Sequence, residues 1–306
     1  MADQADKRRA LAAEMKGKRP SKRQAARAVA PEALPLQPRA RVVAVSSGKG
    51  GVGKTNLAVN LGIALCRLGK RAVVFDADLG LANADLLLGL QPRYNLTHFF
   101  QGGRSLAEIM CDGPEGLKLI PTGSGIAQLA DLSSQERERV LSHFALIEEQ
   151  ADFLIVDTGA GISRNVMAFA HASEEVLVVT TPEPTARLDA YGLIKVLSQE
   201  GYQGRLRLIV NMAEGKAEGE EVSKLMQSLA LRFLNIHVEP LGVVPRDRGV
   251  PASVRQQRPF VVAAPNSAAT AAVERMAGAL AQVGAGSPAG GGFIGFLDRL
   301  GAALRR

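Results

Sequence analysis

A loop rich in glycine and lysine runs from residue 46 to residue 56 and reads SSGKGGVGKTN. Its Gly48, Gly53, Lys54 and Thr55 have the spacing G-x-x-x-x-G-K-S/T, in which backbone N–H groups surround a polyphosphate. The lysine of such a loop reaches the β- and γ-phosphates, and the hydroxyl binds Mg²⁺. The sequence therefore predicts a site for a nucleoside triphosphate. The predicted binding residues of the loop are Gly48, Lys49, Gly50, Gly51, Val52, Gly53, Lys54, Thr55 and Asn56.

Three aspartates follow apolar runs elsewhere in the chain. Asp76 and Asp78 come after residues 71–75, and Asp157 comes after residues 152–156. Carboxylates at the carboxyl ends of parallel strands face the ligand crevice of an open sheet. There, one carboxylate can hold metal-bound water while another orients the attacking water. The alternative is that they only cap turns, and three such residues in a chain that carries the loop favour the functional explanation.

Lys49 stands directly after the first glycine of the loop, where the spacing requires no lysine. It comes too early in the loop to serve the same phosphate as Lys54 from within one subunit. A natural use is to reach across a two-fold axis to the phosphates bound by a second copy. The alternative is a solvated surface lysine.

The elements that must position these residues alternate along the chain. Strands as uniformly apolar as these are covered on both faces, which predicts a doubly wound, mostly parallel α/β sheet of about seven or eight strands with helices on both faces. Strands are predicted at 41–46, 71–76, 117–121, 152–157, 175–181, 206–211 and 240–244. Helices are predicted at about 54–69, 83–90, 134–150, 185–200, 219–233 and 267–283.

Positive charge is concentrated in the first residues of the chain. Residues 1–41 hold eleven basic and four acidic side chains, so their net charge is +7. All 306 residues together also have a net charge of +7, so residues 42–306 are neutral overall. We expect residues 1–40 to be a basic, flexible tail and residues 41–283 to be the nucleotide-binding domain. Residues 284–306 would be a glycine-rich linker followed by an amphipathic helix.

The remaining composition excludes several other classes of protein. Cys66 and Cys111 have no metal-ligand spacing, which argues against an iron–sulfur reductase or scaffold. No apolar run is long enough to span a membrane, and no signal peptide begins the chain, so the expected location is the cytoplasm. The basic tail contains no aromatic residue that could stack on bases, which argues against sequence-specific reading of nucleic acid.

Three stretches of this sequence resemble the deviant Walker A ATPases of the MinD/ParA group, which belong to the SIMIBI class of P-loop NTPases. They are KGGVGKT, DADLGLANAD and DFLIVDTGAGI. Further stretches, TTPEPTA at 180–186 and GVVPRD at 242–247, extend the likeness over nearly the whole chain. Within the group, the chain looks most like the flagellar-number regulators of the FlhG subfamily (also called FleN or YlxH).

The resemblance implies a role for each matching residue. Lys49 would contact the partner's nucleotide in a dimer that encloses ATP, and with Lys54 it would stabilise the charge on the γ-phosphate. Asp78 would orient the hydrolytic water. Thr55, Asp76 and Asp157 would hold Mg²⁺ directly or through water. The residues implied to contact adenine are Asn211, Pro245 and Arg246.

The two ends of the chain suggest partners. FlhG proteins carry an N-terminal DQA element that activates the GTPase FlhF, and Asp3, Gln4 and Ala5 match it, although Arg8 replaces the expected leucine. The basic tail itself could also contact acidic lipid or nucleic acid, the latter without reading its sequence. Flagellar switch-complex proteins and a flagellar transcription regulator are further expected partners.

Apolar residues recur at helical spacing near the C-terminus, after a glycine-rich segment and before two arginines. Such a helix suits the surface of an anionic membrane, and the MinD and FlhG families have a membrane-targeting helix there. A helix of this kind can also pack on its own domain. The predicted membrane contacts are Phe293, Ile294, Phe296, Leu297, Leu300 and Leu304.

Together these features predict an ATPase that dimerises with ATP, associates with the inner face of the cell membrane and regulates flagellum number or placement. The first alternative is a MinD-type ATPase that positions the division site. In that family the phosphate loop lies near the start of the chain, whereas about forty residues precede it here, which argues against this alternative. The second is a ParA-like ATPase that partitions DNA or another cargo, which the neutral body disfavours.

Overall fold

Strand β1, which leads into the glycine-rich loop, lies in the interior of an eight-stranded sheet. The computed structural model describes residues 40–78, 83–123, 134–282 and 291–305, without the side chains of residues 134, 135 and 137. The strand order is β3-β4-β2-β5-β1-β6-β7-β8, and all neighbours are parallel except β3 and β4. The strands are β1 (Arg41–Ser47), β2 (Ala72–Ala77), β3 (Cys111–Asp112), β4 (Lys118–Pro121), β5 (Phe153–Ala160), β6 (Glu175–Thr180), β7 (Arg205–Ala213) and β8 (Glu239–Pro245).

The predicted fold class is confirmed, because parallel strands with helices on both faces leave no face of the sheet in water. Along β1, Val42 and Ala44 contribute to one hydrophobic core, and Val43 and Val45 contribute to the other. All seven predicted strands are present with ends that differ by at most a few residues. The two-residue β3 was not predicted, because two residues show no alternation.

The predicted helices are present, but the helix predicted at 83–90 is only five residues long. Among the described residues, the spacing missed five further helices, including the one at Arg164–Ala172, which follows the strand that carries Asp157. The helices are α1 (Lys54–Arg67), α2 (Ala84–Leu88), α3 (Leu96–Phe100), α4 (Leu106–Ile109), α5 (Ser134–Glu148), α6 (Arg164–Ala172), α7 (Pro184–Gln199), α8 (Lys216–Leu234), α9 (Gly249–Arg255), α10 (Phe260–Ala263), α11 (Ala268–Gln282) and α12 (Gly292–Leu304).

The C-terminal helix α12 packs on its own domain, against α6 and α5. The ring of Phe296 is fully buried and lies 6.4 Å from the rings of both Phe75 and Phe169. At its start, the backbone N–H of Gly292 donates to Glu174 Oε1 at 2.7 Å. The helix therefore belongs to one of the two cores of the domain, and is not a separate appendage.

This packing covers most of the residues predicted to contact a membrane. Phe293, Phe296, Leu297 and Leu300 are buried, Leu304 is half-buried, and only Ile294 is substantially exposed, at 39%. In this arrangement α12 cannot insert its apolar face into a lipid surface. Within the described residues, no helix combines the length and apolar character needed to cross a bilayer. Asp3, Gln4 and Ala5 lie outside the described residues.

Candidate nucleotide-binding site

The glycine-rich loop connects β1 to α1 and has the backbone geometry of a phosphate cradle. Gly53 has φ +86°, and a Cβ there would collide with the side chain of Asn211, so only glycine fits. Helix α1 begins at Lys54 with no side chain capping its first turn and no acidic residue within it. Its free N–H groups and the positive end of the helix dipole are consequently available to an anion.

Asp76 and Asp157 are brought together by the register of β2 and β5, in which they are directly paired. Both are buried, with 2% and 0% of their surface exposed. Lys54 Nζ lies 2.7 Å from Asp157 Oδ1 and is itself buried. The loop lysine and the two strand-end carboxylates thus form one buried cluster at the start of α1.

Burial disfavours the charged form of both carboxylates. It raises the pKa of Asp76 to about 6, with a further rise from the negative charge of Asp157 and opposing hydrogen bonds from the backbone of Ala84 and Asp78. The pKa of Asp157 is also raised by burial, while Lys54 and Thr55 act in the opposite direction. A second cation beside this pair would stabilise both carboxylates.

The donor set suits a hard divalent cation. Asp157 Oδ2 is buried and has no hydrogen-bond partner among the described residues. The hydroxyl of Thr55 is near enough to influence Asp157, and Asp76 is the neighbouring carboxylate. Mg²⁺ binds through one or two protein oxygens together with phosphate and water oxygens. The three predicted metal residues therefore fit Mg²⁺ without a cage of protein ligands.

Asp78 lies two residues beyond Asp76, and its backbone N–H donates to Asp76 Oδ1 at 3.3 Å. Its side chain faces Gly159 of β5, where a Cβ would lie 3.7 Å from Asp78 Oδ1. Asp78 is half-buried. The structure thus places the predicted water-orienting carboxylate beside the cluster that contains Asp157.

Lys49 lies at the exposed rim of the loop. Its Nζ lies 2.7 Å from Glu183 Oε1 and 2.8 Å from the hydroxyl of Thr185, both of which follow β6. Lys49 lowers the pKa of Glu183 through this hydrogen bond, the largest cause of that shift. The two partners were missed as site residues, although a position after a strand that ends at the same sheet edge was a usable signal.

The three residues predicted to contact adenine come together beside the loop. Asn211, Pro245 and Arg246 line a pocket of about 310 Å³ that also includes Gly53. Asn211 Nδ2 donates to the backbone carbonyl of Val52 at 2.8 Å, so this side chain also fixes the loop. The pocket includes Asp247, which ends the stretch GVVPRD, and three residues from the segment after β8 that no local pattern distinguished. They are Val250, Pro251 and Phe260.

The sequence of this chain is similar to those of known proteins. Residues 39–281 match the family model ParA, which is described as NUBPL iron-transfer P-loop NTPase. The chain is 40% identical to the antiactivator FleN of Pseudomonas aeruginosa over 237 residues, which cover 78% of this chain and 85% of FleN. It is 36% identical to the flagellum site-determining protein YlxH of Helicobacter pylori over 244 residues, which cover 78% and 81% of the two chains.

Solved structures of MinD proteins have a fold similar to that of this chain. The MinC:MinD cell division complex of Aquifex aeolicus gives a TM-score of 0.63 at 26% identity, covering 79% of this chain and 96% of that chain. MinD of Pyrococcus horikoshii, solved with Mg-ADP, gives 0.64 at 23% identity, covering 80% and 97%. The latter likeness shows the shared fold only.

Proposed function

This chain belongs to the ParA/MinD family of P-loop NTPases, and we propose that it is an ATP-dependent switch that regulates the number or placement of flagella. The observation that carries the flagellar role is the 40% identity to FleN over most of both chains. The second relative, YlxH, is named for determining the site of flagella. The buried cluster of Lys54, Asp76 and Asp157 beside the loop supports ATP hydrolysis as the chemistry.

The side chains of the site suggest how hydrolysis proceeds. The N–H groups at the start of α1 bind the phosphates, and Lys54 exchanges Asp157 for the β- and γ-phosphates. Asp78 orients the water that attacks the γ-phosphate. When bound by Thr55 and the carboxylates, Mg²⁺ supplies compensation for the negative charge that develops on the phosphate oxygens. The pocket that contains Asn211 receives the adenine.

The ATP-bound state of the switch would be a dimer. Support comes from Lys49, which lies at the rim of the loop with 36% of its side chain exposed and is held by the exposed side chain of Glu183. An exposed ion pair is weak, so Lys49 can leave Glu183 for the phosphates of a second copy. Such an exchange would couple the presence of ATP to formation of the dimer.

Membrane association would require α12 to leave its site on the domain. That site is connected to the proposed metal-binding strand, because α6 follows the strand that carries Asp157 and packs against α12. A change in the turn between β5 and α6 can therefore weaken the docking of α12. A single short helix binds lipid weakly, and a dimer that presents two binds through avidity. The protein would then be cytoplasmic and peripherally attached to the cell membrane.

Three further partners are proposed from the name of one relative and from the N-terminal sequence. FleN is named an antiactivator, which supports a flagellar transcription regulator as a partner alongside switch-complex proteins. The DQA element at residues 3–5 supports stimulation of the GTPase FlhF. A peptide of residues 1–20 is expected to accelerate GTP hydrolysis by FlhF, and Gln4→Ala is expected to abolish the effect. An unchanged GTPase rate with the wild-type peptide would remove FlhF from the proposal.

Deletion of the gene in its own organism, followed by counting flagella and measuring cell length, tests the function. We expect an altered number or position of flagella with normal division, restored by the wild-type gene and not by Asp78→Ala. Normal flagella with minicells or filaments would instead indicate the MinD-type role, to which the MinD structures lend support. Normal flagella and division would contradict both.

The remaining alternatives have less support. A DNA-partitioning role is disfavoured by the neutral body of residues 42–306 and by the amphipathic C-terminal helix, because non-specific DNA binding depends on positive charge. Iron transfer, which the description of the family model mentions, would require grouped ligands. Within the described part of the chain, no group of three His, Cys, Asp or Glu side chains could hold a metal ion.

A further inference from the structure

A large groove lies over the edge strand β8 of the sheet, next to the pocket that contains Asn211. Its volume is about 810 Å³, and its walls are α8 on one side and α11 on the other. The floor is mostly apolar and includes Leu241, Val243 and Met276. No role proposed above uses this groove, although Pro245 at one end also lines the pocket that contains Asn211.

The groove exposes the edge of the sheet. Strand β8 pairs with β7 on one side, and on its other side no strand of the described residues pairs with it. Two glycines allow the helices to flank the strand closely, since a Cβ on Gly219 would collide with Val243 and one on Gly242 would lie 2.6 Å from Met276 Cγ. An unpaired edge between two walls can accept an added strand.

The chemistry of the groove restricts how such a strand could bind. Pro240 and Pro245 bracket the edge, and proline cannot donate to a ladder. Between them lie residues 241–244, and because β7 already pairs with one side of β8, only the alternate residues whose backbone groups face the open edge can pair with an added strand. A short extended segment with alternating apolar side chains would therefore fit, with one set of side chains directed to the floor of the groove.

The rim of the groove is basic. Lys216, Lys224 and Arg275 line it, against a single acidic residue, Glu220, which pairs with Lys216 at 3.6 Å. Lys224 and Arg275 make no ion pair with any residue that the structure describes. This charge opposes docking of the basic tail of this chain, and it opposes docking of the same face of a second copy. An acidic segment complements it.

We propose that the groove between α8 and α11 binds an extended, acidic and apolar peptide segment of a partner protein, which adds a strand to β8. Main-chain hydrogen bonds to those residues of 241–244 whose backbone groups face the open edge would supply affinity, and Lys224 and Arg275 would select for carboxylates flanking the apolar residues. This interaction requires neither bound nucleotide nor the proposed flagellar role.

Selection of random dodecapeptides, displayed on phage, against the full-length protein tests the proposal. We expect enriched peptides to contain alternating apolar residues flanked by Asp or Glu. A synthetic peptide of the enriched sequence should bind the double variant Lys224→Glu/Arg275→Glu about tenfold more weakly, as measured by fluorescence polarisation. Arg232→Glu is the matched control, because it lies on α8 but does not line the groove.

Two additional measurements separate strand addition from non-specific charge attraction. Ala271→Trp fills the groove from an exposed position of α11 and should abolish binding while ATP hydrolysis stays at the wild-type rate. N-methylation of alternate peptide residues should also abolish binding. Enrichment of basic or helical sequences, no enrichment, equal binding to the double variant, or indifference to N-methylation would each overturn the proposal.

Discussion

Lys54 Nζ lies 2.7 Å from Asp157 Oδ1, and both side chains are buried, with 7% and 1% exposed. Asp157 thus already has a cation beside it, and Asp157 Oδ2 has no hydrogen-bond partner among the described residues. The lysine and a divalent ion would share this carboxylate. When Lys54 turns to the phosphates, Asp157 would become free to bind the metal ion. Binding of the phosphates and binding of the metal would therefore be linked.

Lys54→Met should destabilise the nucleotide-free protein, because it leaves the carboxylate of Asp157 buried without its cation. The expected loss in free energy of unfolding is about 3 kcal/mol at pH 8. The loss should shrink as the pH falls, since the unpaired Asp157 becomes protonated at a higher pH. Urea denaturation measures both effects. Lys49→Met is the matched control from the same loop, and an equal loss there would refute this explanation.

Asp76→Asn should stabilise the protein in EDTA without nucleotide, and only above acidic pH. The pKa of Asp76 is raised to about 6 from an ordinary value near 3.8, so wild-type stability is lost as the pH rises through this range. The gain from Asn should begin near pH 4, increase to pH 6 and then level at about 1–3 kcal/mol. Thermal unfolding from pH 4 to 8 measures it. A gain independent of pH would exclude Asp76 as the cause.

Phe296→Ala should cost about 3–5 kcal/mol of unfolding free energy, because it removes a fully buried ring from contact with Phe75 and Phe169. Ile294→Ala, on the exposed side of the same helix, should cost less than about 1 kcal/mol. Chemical denaturation compares them. Equal small losses would mean that α12 does not remain docked in solution.

Lys49→Ala and Glu183→Ala should change ATP-dependent dimerisation in opposite directions. The first removes the cation that would reach the second copy, so the dimer should not form. The second frees Lys49 from Glu183 and should lower the ATP concentration needed for dimers. Analytical ultracentrifugation with the non-hydrolysable analogue AMPPNP measures both. If Lys49→Ala dimerises like the wild type, Lys49 does not act between subunits.

Vesicles of anionic lipid should bind the wild-type protein better with ATP than with ADP. The apolar face of α12 is buried in the domain, and we propose that α12 is released and presented in two copies only in the ATP-bound dimer. Glu174→Ala removes the acceptor for the backbone N–H of Gly292 and should increase binding in ADP. Sedimentation of the vesicles measures the bound fraction. Deletion of residues 293–306 should abolish binding, and retained binding would show that another surface contacts the lipid.

Much of the nucleotide site was predictable from short contiguous stretches. The loop from Gly48 to Thr55 works through backbone N–H groups and side chains adjacent in sequence, so its spacing is sufficient evidence. Asp76 and Asp157 are distant in sequence, but each ends a run of apolar residues. Because parallel strands end at one edge of a sheet, these patterns also predicted that the carboxylates would meet.

Other parts of the site depend on long-range packing. The ion pair of Lys49 with Glu183, and the wall formed by Val250 and Phe260 in the pocket that contains Asn211, arise from segments far apart in sequence. Helix α6 was missed because its nine residues make only about two and a half turns, too few for a helical spacing to stand out in the sequence.

The sequence by itself determined the parallel α/β sheet, the phosphate loop and the carboxylates at the strand ends, because hydrophobic burial and loop chemistry act over a few adjacent residues. Only the tertiary structure decided where the apolar face of α12 lies, since lipid and a protein core satisfy the same pattern of Phe and Leu. The structure fills that face with Phe75 and Phe169. Likewise, only the strand order revealed that β8 is an edge flanked by basic residues.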